Sequence, residues 1–337
     1  MPSKARRVQS RTFRTRLILS LFFGLAVFVG LLLYGDISGI GSSLSHFRWS
    51  LLPVILGLTL FNYAVRFLKW HYYLGLAGIR NVRLADSVNI FFAGLAMTIT
   101  PGKLGEWLKS YLLKERYGTP VSVSAPIVLA ERVTDAYGMI LLACLGLFLF
   151  NDGWVFVIIL SALGFAIAAM FRWRPAARWC IAAAGRLPLL RRHAPFIASF
   201  YESAYSLFSP RALAISVAMG FVSWLGEGIA MYYVLLGLGA PHSAELIVQG
   251  VFILSITSLA GAVAILPGGL GVVEGGITGL AQSLVGLSRE AAATATLIIR
   301  IGTLWFGVAI GLVALVILTR RMGRDVVADA EAARKPA

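Results

Sequence analysis

Glutamates and arginines recur at one fixed spacing within otherwise apolar stretches of this sequence. Glu106 precedes Arg132 by 26 residues, and Glu274 precedes Arg300 by 26 residues as well. Each glutamate ends a similar phrase, PGKLGE in the first case and LPGGLGVVE in the second. Acidic and basic side chains in an apolar setting can pair, carry protons or bind a charged ligand. The first hypothesis is therefore a duplicated ionic site.

The composition places these charges in a membrane protein. Hydrophobic residues make up 58% of the 337 residues, charged residues make up 13%, and the mean hydropathy is +0.82. Several apolar runs approach or exceed the roughly 20 residues that a helix needs to cross a bilayer. We therefore expect an all-α polytopic membrane protein with about six full spans and two broken or re-entrant hairpins.

The basic residues predict how the chain is oriented. Residues 1–16 contain six Lys and Arg and no acid, and the loop at 172–211 contains seven arginines against one acid. Basic segments stay on the cytoplasmic side, where they also meet anionic lipid head groups. We expect a cell inner-membrane protein with both termini in the cytoplasm. The net charge of +15 is therefore attributed to the cytoplasmic loops. Nucleic-acid binding is not indicated, since no nucleic-acid-binding motif occurs.

The domain organisation follows from the same pattern. The predicted parts are a basic cytoplasmic tail at 1–16, one transmembrane domain at 17–320 and a cytoplasmic tail at 321–337. Within the domain, a first repeat at about 51–150 and a second at about 212–318 are separated by the cytoplasmic loop at 172–211. By the charge rule the two repeats begin on opposite sides of the membrane, so they have inverted topology. Inverted repeats with broken helices are a transporter design in which the breaks mark the binding site.

Eight charged residues lie inside apolar segments, and each would cost about 2.5–3.5 kcal/mol at the centre of a bilayer. They are Arg66, Glu106, Glu131, Arg132, Asp135, Glu227, Glu274 and Arg300. They must pair or line a polar cavity, and the carboxylates in excess could take up protons. Glu131, Asp135 and Glu227 are interpreted as supporting residues. Arg66 either supports the site or extends toward the cytoplasm together with Lys69.

The first break is the better candidate for binding an anion. A helix that begins after Pro101-Gly102 would present free backbone N–H groups and a positive dipole end, and Lys103 adds a cation there. We expect a lipid phosphate at this break, with Arg132 and Arg300 completing a basic pocket.

The second break, at Pro267-Gly268, has Gly269 where the first has Lys103. It is therefore less suited to an anion. Glu106 and Glu274, which follow the two breaks, are the residues through which transport would be coupled to protons.

Catalytic and metal sites are not indicated. The sequence has no Ser-His-Asp set, HExxH motif, Walker loop or kinase signature, and its four histidines are scattered. Its two cysteines imply neither a disulfide nor a metal framework. We predict no catalytic residue, metal ligand or cofactor.

Four motifs together resemble one family. They are the run FxxG-x6-PGKLGE over 91–106, the element Glu131-Arg132-x-x-Asp135, Arg66 shortly before Trp70, and LPGGLGxxE from Leu266. The combination is similar to the flippase-like membrane domain of lysylphosphatidylglycerol synthases, over residues 15–320. The resemblance implies handling of phospholipids, polyprenyl-linked sugars or hopanoids. The chain ends 19 residues after the last predicted span, at 318, so the resemblance implies lipid translocation or binding rather than aminoacyl transfer.

The sequence therefore predicts a lipid flippase or transporter, without a soluble catalytic domain, for an anionic or glycosylated lipid. One alternative is a membrane-embedded enzyme that uses Glu106, Glu131 and Asp135 as acid and base on a lipid head group. Another is a non-transporting partner that recruits a lipid-modifying complex through the loop at 172–211. A homo-oligomer or a complex with a lipid-modifying enzyme is compatible with the sequence, which does not select the lipid.

Overall fold

The described part of the chain is helical throughout. The structure is a computed structural model, and it describes residues 22, 24–100, 107–147, 154–186, 192–264 and 266–332. The α-helices are α1 (Gly24–Tyr34), α2 (Ile37–His46), α3 (Leu52–Leu76), α4 (Leu84–Leu95), α5 (Trp107–Tyr117), α6 (Val121–Leu147), α7 (Trp154–Arg172), α8 (Arg174–Arg186), α9 (Ala194–Leu207), α10 (Pro210–Gly237), α11 (Ala244–Val263), α12 (Val272–Val285), α13 (Arg289–Arg300) and α14 (Phe306–Ala332). Two 3₁₀ turns (Trp49–Leu51 and Pro267–Gly269) and one π turn (Ile301–Trp305) complete the described elements.

Several of these helices could cross a membrane. Four are long and apolar enough by length and composition: Trp49–Leu76, Pro210–Gly237, Ala244–Val263 and Arg289–Arg320. A fifth span results if α1 and α2, which are bent by 89°, are taken as one. The prediction of an all-helical polytopic membrane protein is confirmed. The finer arrangement of six spans and two inverted hairpins stays a prediction.

The helices α4 and α5 form the first hairpin, within the segment where a hairpin was expected. Its open end is closed by Asp86 near the start of α4, whose Oδ2 accepts a hydrogen bond from Tyr117 Oη at 2.5 Å and lies 3.3 Å from Arg116 Nε. With 12 and 11 residues, the two helices are roughly 18 and 16 Å long. Each is shorter than the hydrocarbon core of a bilayer, which is about 30 Å thick.

The helices α11 and α12 form the second hairpin, on either side of the break that contains Pro267–Gly269. Its open end is tied by Gln249 Nε2, which donates a hydrogen bond to the carbonyl oxygen of Leu284 at 3.0 Å. The two helices have 20 and 14 residues, so this hairpin is longer than the first.

Each hairpin has its own hydrophobic core. The first core contains Trp70, Tyr73, Phe91, Leu113, Ile127 and Phe208, from α3 to α6 and the end of α9. The second core contains Ile55, Tyr232, Leu246, Ile277 and Ile298, from α3 and from α10 to α13. Helix α3 contributes one end to each core.

Close helix crossings hold the two cores together. Asn62 Nδ2 on α3 donates a hydrogen bond to the carbonyl oxygen of Ser223 on α10 at 2.9 Å, and both residues are buried. Gly138 on α6 packs against the α10 backbone, where an added Cβ would lie 2.6 Å from the nitrogen of Phe221. Small residues of this kind allow membrane helices to approach closely enough for van der Waals packing to hold them.

We predict that Gly138→Ala destabilises the protein by about 1–3 kcal/mol, because overfilling a packed interface strains its backbone. Thermal unfolding in detergent should begin at a lower temperature than in the wild type. Gly57→Ala on α3 is the matched control, since nothing lies within 4 Å of a Cβ at that position. Equal effects of the two substitutions would contradict the close crossing of α6 and α10.

Candidate functional site

An ion pair closes the break of the second hairpin. Arg300 Nε lies 2.6 Å from Glu274 Oε1, and Arg300 Nη2 donates a hydrogen bond to the carbonyl oxygen of Gly268 at 2.8 Å. The other carboxylate oxygen of Glu274 accepts the backbone N–H of Gly271 at 2.7 Å. A broken helix leaves backbone donors and acceptors without partners in an apolar environment. The ion pair supplies a partner on each side of this break.

The glycines of the break are required by its backbone conformation. Gly268, Gly269 and Gly271 have φ values of +59°, +69° and +85°. Residues with a Cβ rarely adopt positive φ, so the chain turns here at little steric cost because these positions are glycine. The sequence LPGGLG therefore specifies the turn that Arg300 and Glu274 complete.

A π turn follows Arg300 directly. It spans Ile301–Trp305, and its Thr303 carbonyl oxygen accepts a hydrogen bond from Tyr63 Oη at 2.6 Å. Turns of this type are rare and occur often at functional sites. The hydroxyl of Tyr63 thus connects α3 with the irregular turn beside Arg300.

Asp135 is the centre of a second ionic cluster. Its buried carboxylate pairs with Lys69, lies 3.8 Å from Arg66 Nε, and lies 3.7 Å from Arg132 Nη2. Lys69 also lies 3.4 Å from the hydroxyl of Thr134. Three cations from α3 and α6 therefore share one carboxylate, which keeps α3 and α6 in register.

A third pair joins the first hairpin to α6. Lys109 Nζ lies 2.5 Å from Glu131 Oε2, and both side chains are buried. The ammonium group also lies 4.4 Å from the ring centroid of Trp70 and 5.4 Å from that of Phe91. Aromatic faces attract a cation that is removed from water. This pair is enclosed by the first core.

A cavity of about 110 Å³ lies between the two hairpins. The charged side chains in its lining are Arg66, Arg132, Glu227 and Arg300, from α3, α6, α10 and α13. The side chains of Arg66, Arg132 and Arg300 are 15%, 27% and 10% exposed, whereas those of Asp135 and Glu274 are 1% and 2% exposed. The guanidinium groups therefore reach the cavity, and their carboxylate partners lie behind them.

Both hairpins contribute backbone to this cavity. Leu95 and Thr98 come from the end of the first hairpin, and Gly261, Gly268 and Gly269 come from the break of the second. The cavity thus lies between the C-terminal end of α4 and the break of the second hairpin.

Glu227 differs from the other buried acids. It lines the cavity and is 7% exposed, but none of the described residues forms a hydrogen bond or ion pair with it. A buried carboxylate normally needs a partner. Its carboxylate therefore faces the cavity without such a partner among the described residues.

The structure brings together most of the predicted site residues that it describes. Arg66, Arg132, Glu227, Gly268 and Arg300 line the cavity, and Glu131, Asp135 and Glu274 pair with cations around it. Pro267 begins the 3₁₀ turn of the second break. Pro101, Gly102, Lys103 and Glu106 lie outside the described residues, so their roles stay predictions.

Sequence reasoning missed three participants. Lys69 is buried against Asp135, so it does not extend toward the cytoplasm as one interpretation had it. Lys109 and Tyr63 were not considered as part of the site. The signal for Lys69 was its position three residues after Arg66, which places both on one helix face.

The chemistry available at the site is anion binding. Guanidinium groups offer planar sets of N–H donors that suit phosphate and carboxylate groups. Each guanidinium has five such donors. Within the described residues, no group of three His, Cys, Asp or Glu side chains is placed to hold a metal ion.

We predict that Lys109→Met lowers the free energy of unfolding by about 3–5 kcal/mol, because it leaves the Glu131 carboxylate buried without its cation. Adding Glu131→Gln should restore a substantial part of the loss, since the uncompensated charge is then removed. Unfolding of both variants and of Glu131→Gln alone, followed in mixed micelles with rising denaturing detergent, measures the coupling. A double variant as unstable as Lys109→Met would show that Glu131 is not its partner.

Comparison with known proteins gives a family for this arrangement. Residues 18–311 match the family described as the lysylphosphatidylglycerol synthase TM region. The chain is also similar to UPF0104 membrane protein MJ1078 of Methanocaldococcus jannaschii, with 24% identity over 181 residues, which is 50% of this chain and 71% of that protein. The resemblance noted in the sequence is thereby confirmed. This multi-pass membrane protein belongs to the lysylphosphatidylglycerol synthase transmembrane-region family.

Proposed function

We propose that this protein moves an anionic lipid between the two leaflets of the inner membrane, with the head group passing through the cavity. The observation that supports this most directly is the cavity lining. Arg66, Arg132 and Arg300 come from three different helices and reach one space between two hairpins. Guanidinium groups that line a common space suit an anionic head group, because their planar donor sets match phosphate oxygens.

The size of the cavity favours a phosphate group as the part that is recognised. A volume of about 110 Å³ has room for roughly three or four water molecules at about 30 Å³ each. A phosphate group fits such a space, and the arginines in the lining suit its oxygens. Phospholipids and polyprenyl-phosphate-linked lipids carry the recognised group in common, so we place both in the substrate class.

The lipid tail would stay in the bilayer during this movement. The helices around the cavity expose large apolar side chains on their outer faces, among them Leu60, Phe61 and Val313. These faces suit contact with hydrocarbon, while the charged residues point inward. A head group could therefore use the polar interior without its chains leaving the apolar phase.

The proposed orientation has both termini and the segment 172–211 in the cytoplasm. In this segment the guanidinium groups of Arg172 and Arg174 lie 4.2 and 4.1 Å from the ring centroid of Tyr205. Both arginines are exposed, which suits contact with anionic head groups at the membrane surface. The same surface would also be a binding site for a lipid-modifying enzyme whose product is the transported lipid.

The sequence predicts proton coupling through Glu106 and Glu274, but the geometry favours Glu227 over Glu274. Both carboxylate oxygens of Glu274 are engaged, one by Arg300 and one by the Gly271 N–H. Glu227 faces the cavity without a partner among the described residues. We therefore add Glu227 to Glu106 as a candidate for taking up a proton when the anionic head group arrives or leaves.

The decisive experiment is reconstitution. Lipids that copurify with the protein are identified by mass spectrometry, and their transbilayer movement is then measured in phosphatidylcholine vesicles with and without the protein. Faster movement with the lipid chemically unchanged supports transport. A covalently altered lipid would favour the membrane-embedded enzyme instead, and no movement of any copurified lipid would contradict the proposal.

In that assay, Arg132→Gln is expected to slow lipid movement about tenfold or more, since a charge-assisted hydrogen bond contributes about 1.5–3 kcal/mol. Arg132→Lys keeps the charge but not the planar donor set, so it should be intermediate. Arg289→Gln is the control, because Arg289 is about half exposed and pairs with Glu290 away from the cavity. Wild-type rates for folded Arg132→Gln would exclude this arginine from the site.

Glu227→Gln should bind anionic lipid several-fold more tightly, because removing a negative charge from the cavity lining lowers its repulsion of the head group. Thermal stability should change little, since Glu227 has no ion-pair partner within the described residues. Competition binding of phosphatidylglycerol in detergent measures the affinity. Exposed Glu202→Gln is the control, and weaker binding by Glu227→Gln would show that the carboxylate holds the ligand.

A further inference from the structure

An apolar groove lies on the outer face of the bundle between α3, α4 and α14. It has a volume of about 460 Å³. Its lining consists of Leu60 from α3, Asn89 and Phe92 from α4, and Ala309, Ile310, Val313, Ala314 and Ile317 from α14. Neither the ionic clusters nor the cavity uses these residues.

The groove continues directly from the cavity. Tyr63, Leu95 and Gly307 line the cavity, and Leu60, Phe92 and Ile310 line the groove. On α4 and α14, which run in opposite directions, the cavity residue and the groove residue are three positions apart and are displaced toward the same end, by about one helical turn or roughly 5 Å. The two spaces are therefore consecutive along α4 and α14, and α3 borders both.

The chemistry of the lining changes abruptly between the two spaces. In the groove, Asn89 is the polar side chain of the lining, and its amide already donates a hydrogen bond to the carbonyl oxygen of Ala85 at 2.8 Å. The remaining lining is hydrocarbon. Charged groups thus lie at one end of a continuous path and purely apolar groups lie along the other, which matches the two parts of a lipid.

The dimensions agree with a single chain in one leaflet. From Ala309 to Ile317 the groove follows eight residue steps of α14, or about 12 Å at 1.5 Å per residue. This is close to half of the hydrocarbon thickness of roughly 30 Å. The end at Ile317 lies toward Arg320, which is on the side predicted to be cytoplasmic.

We propose that this groove holds a hydrocarbon chain of the lipid whose phosphate occupies the cavity. The inference rests on the proposed function, since it takes the cavity as the head-group site. A helix of a second copy is the less suitable occupant. Membrane helices associate through small residues that permit close approach, and Gly311 of α14 is already packed against the backbone of Ala96.

Filling the groove tests its role in transport. Ala309→Trp should slow lipid movement in phosphatidylcholine vesicles containing phosphatidylglycerol by about tenfold, the scale expected when an overfilled site is strained. Val222→Trp is the matched control, because Val222 is an exposed apolar residue of α10 that does not line the groove. If both variants move lipid at the wild-type rate while Arg132→Gln is inactive, the groove does not hold the lipid chain. The proposed function would still be supported in that case.

Photo-crosslinking tests occupancy even if the wild type moves no lipid. Benzoylphenylalanine in place of Val313 should capture phosphatidylglycerol well above its share of the vesicle lipid, whereas the same probe at Val222 should capture lipids in proportion to composition. Enriched capture of phosphatidylglycerol at Val313, without lipid movement, would support the binding of a lipid chain in the groove. It would contradict the proposed flippase function. Equal capture at both positions, or crosslinks from Val313 to a second copy of the chain, would overturn the inference.

Discussion

Backbone groups that a broken helix exposes inside the bilayer must find partners, and this requirement shapes the centre of the protein. Hydrocarbon offers them no hydrogen bonds, so an unsatisfied N–H or carbonyl costs several kcal/mol. At the second break, Glu274 accepts the N–H of Gly271 and Arg300 donates to the carbonyl oxygen of Gly268. The ion pair is therefore part of the fold as much as of the site. It allows three positive-φ glycines to turn the chain where a regular helix would otherwise fill the space.

The buried charges have two distinct roles. Lys109 with Glu131 and Lys69 with Asp135 are enclosed pairs that connect neighbouring helices. Removing one partner of such a pair is strongly destabilising, whereas its net contribution to stability is small. The arginines behave differently, because each contacts a buried carboxylate and also reaches the cavity. The carboxylates orient the guanidinium groups toward the space where an anion would bind.

Part of this arrangement could be predicted from the sequence. The common spacing of 26 residues indicated a relation between Glu274 and Arg300, and the structure shows them as an ion pair. The same spacing predicts a relation between Glu106 and Arg132, and Glu106 lies outside the described residues. The membrane class followed from hydropathy, because the long apolar runs leave no soluble alternative.

Other contacts of the site depend on which helices become neighbours. The pattern of a single sequence does not indicate these pairings. Lys109 is on a short polar helix and was not considered as part of the site, but α5 packs against α6 and places it beside Glu131. Lys69 looked able to reach the cytoplasm, and only the packing of α3 on α6 shows that Asp135 holds it. The cavity and the groove are likewise properties of three or more helices together.

The π turn at Ile301–Trp305 has a consequence for how the cavity and the groove are placed around the helix axis. Such a turn contains one residue more than a regular turn, so its loss would rotate all later residues by about 100° around the helix axis. Arg300 would keep its place while Ala309 and Val313 would face another neighbour. A single inserted residue therefore sets the angle between the side chains that line the cavity and those that line the groove, and a deletion there would change this angle without altering either set of side chains.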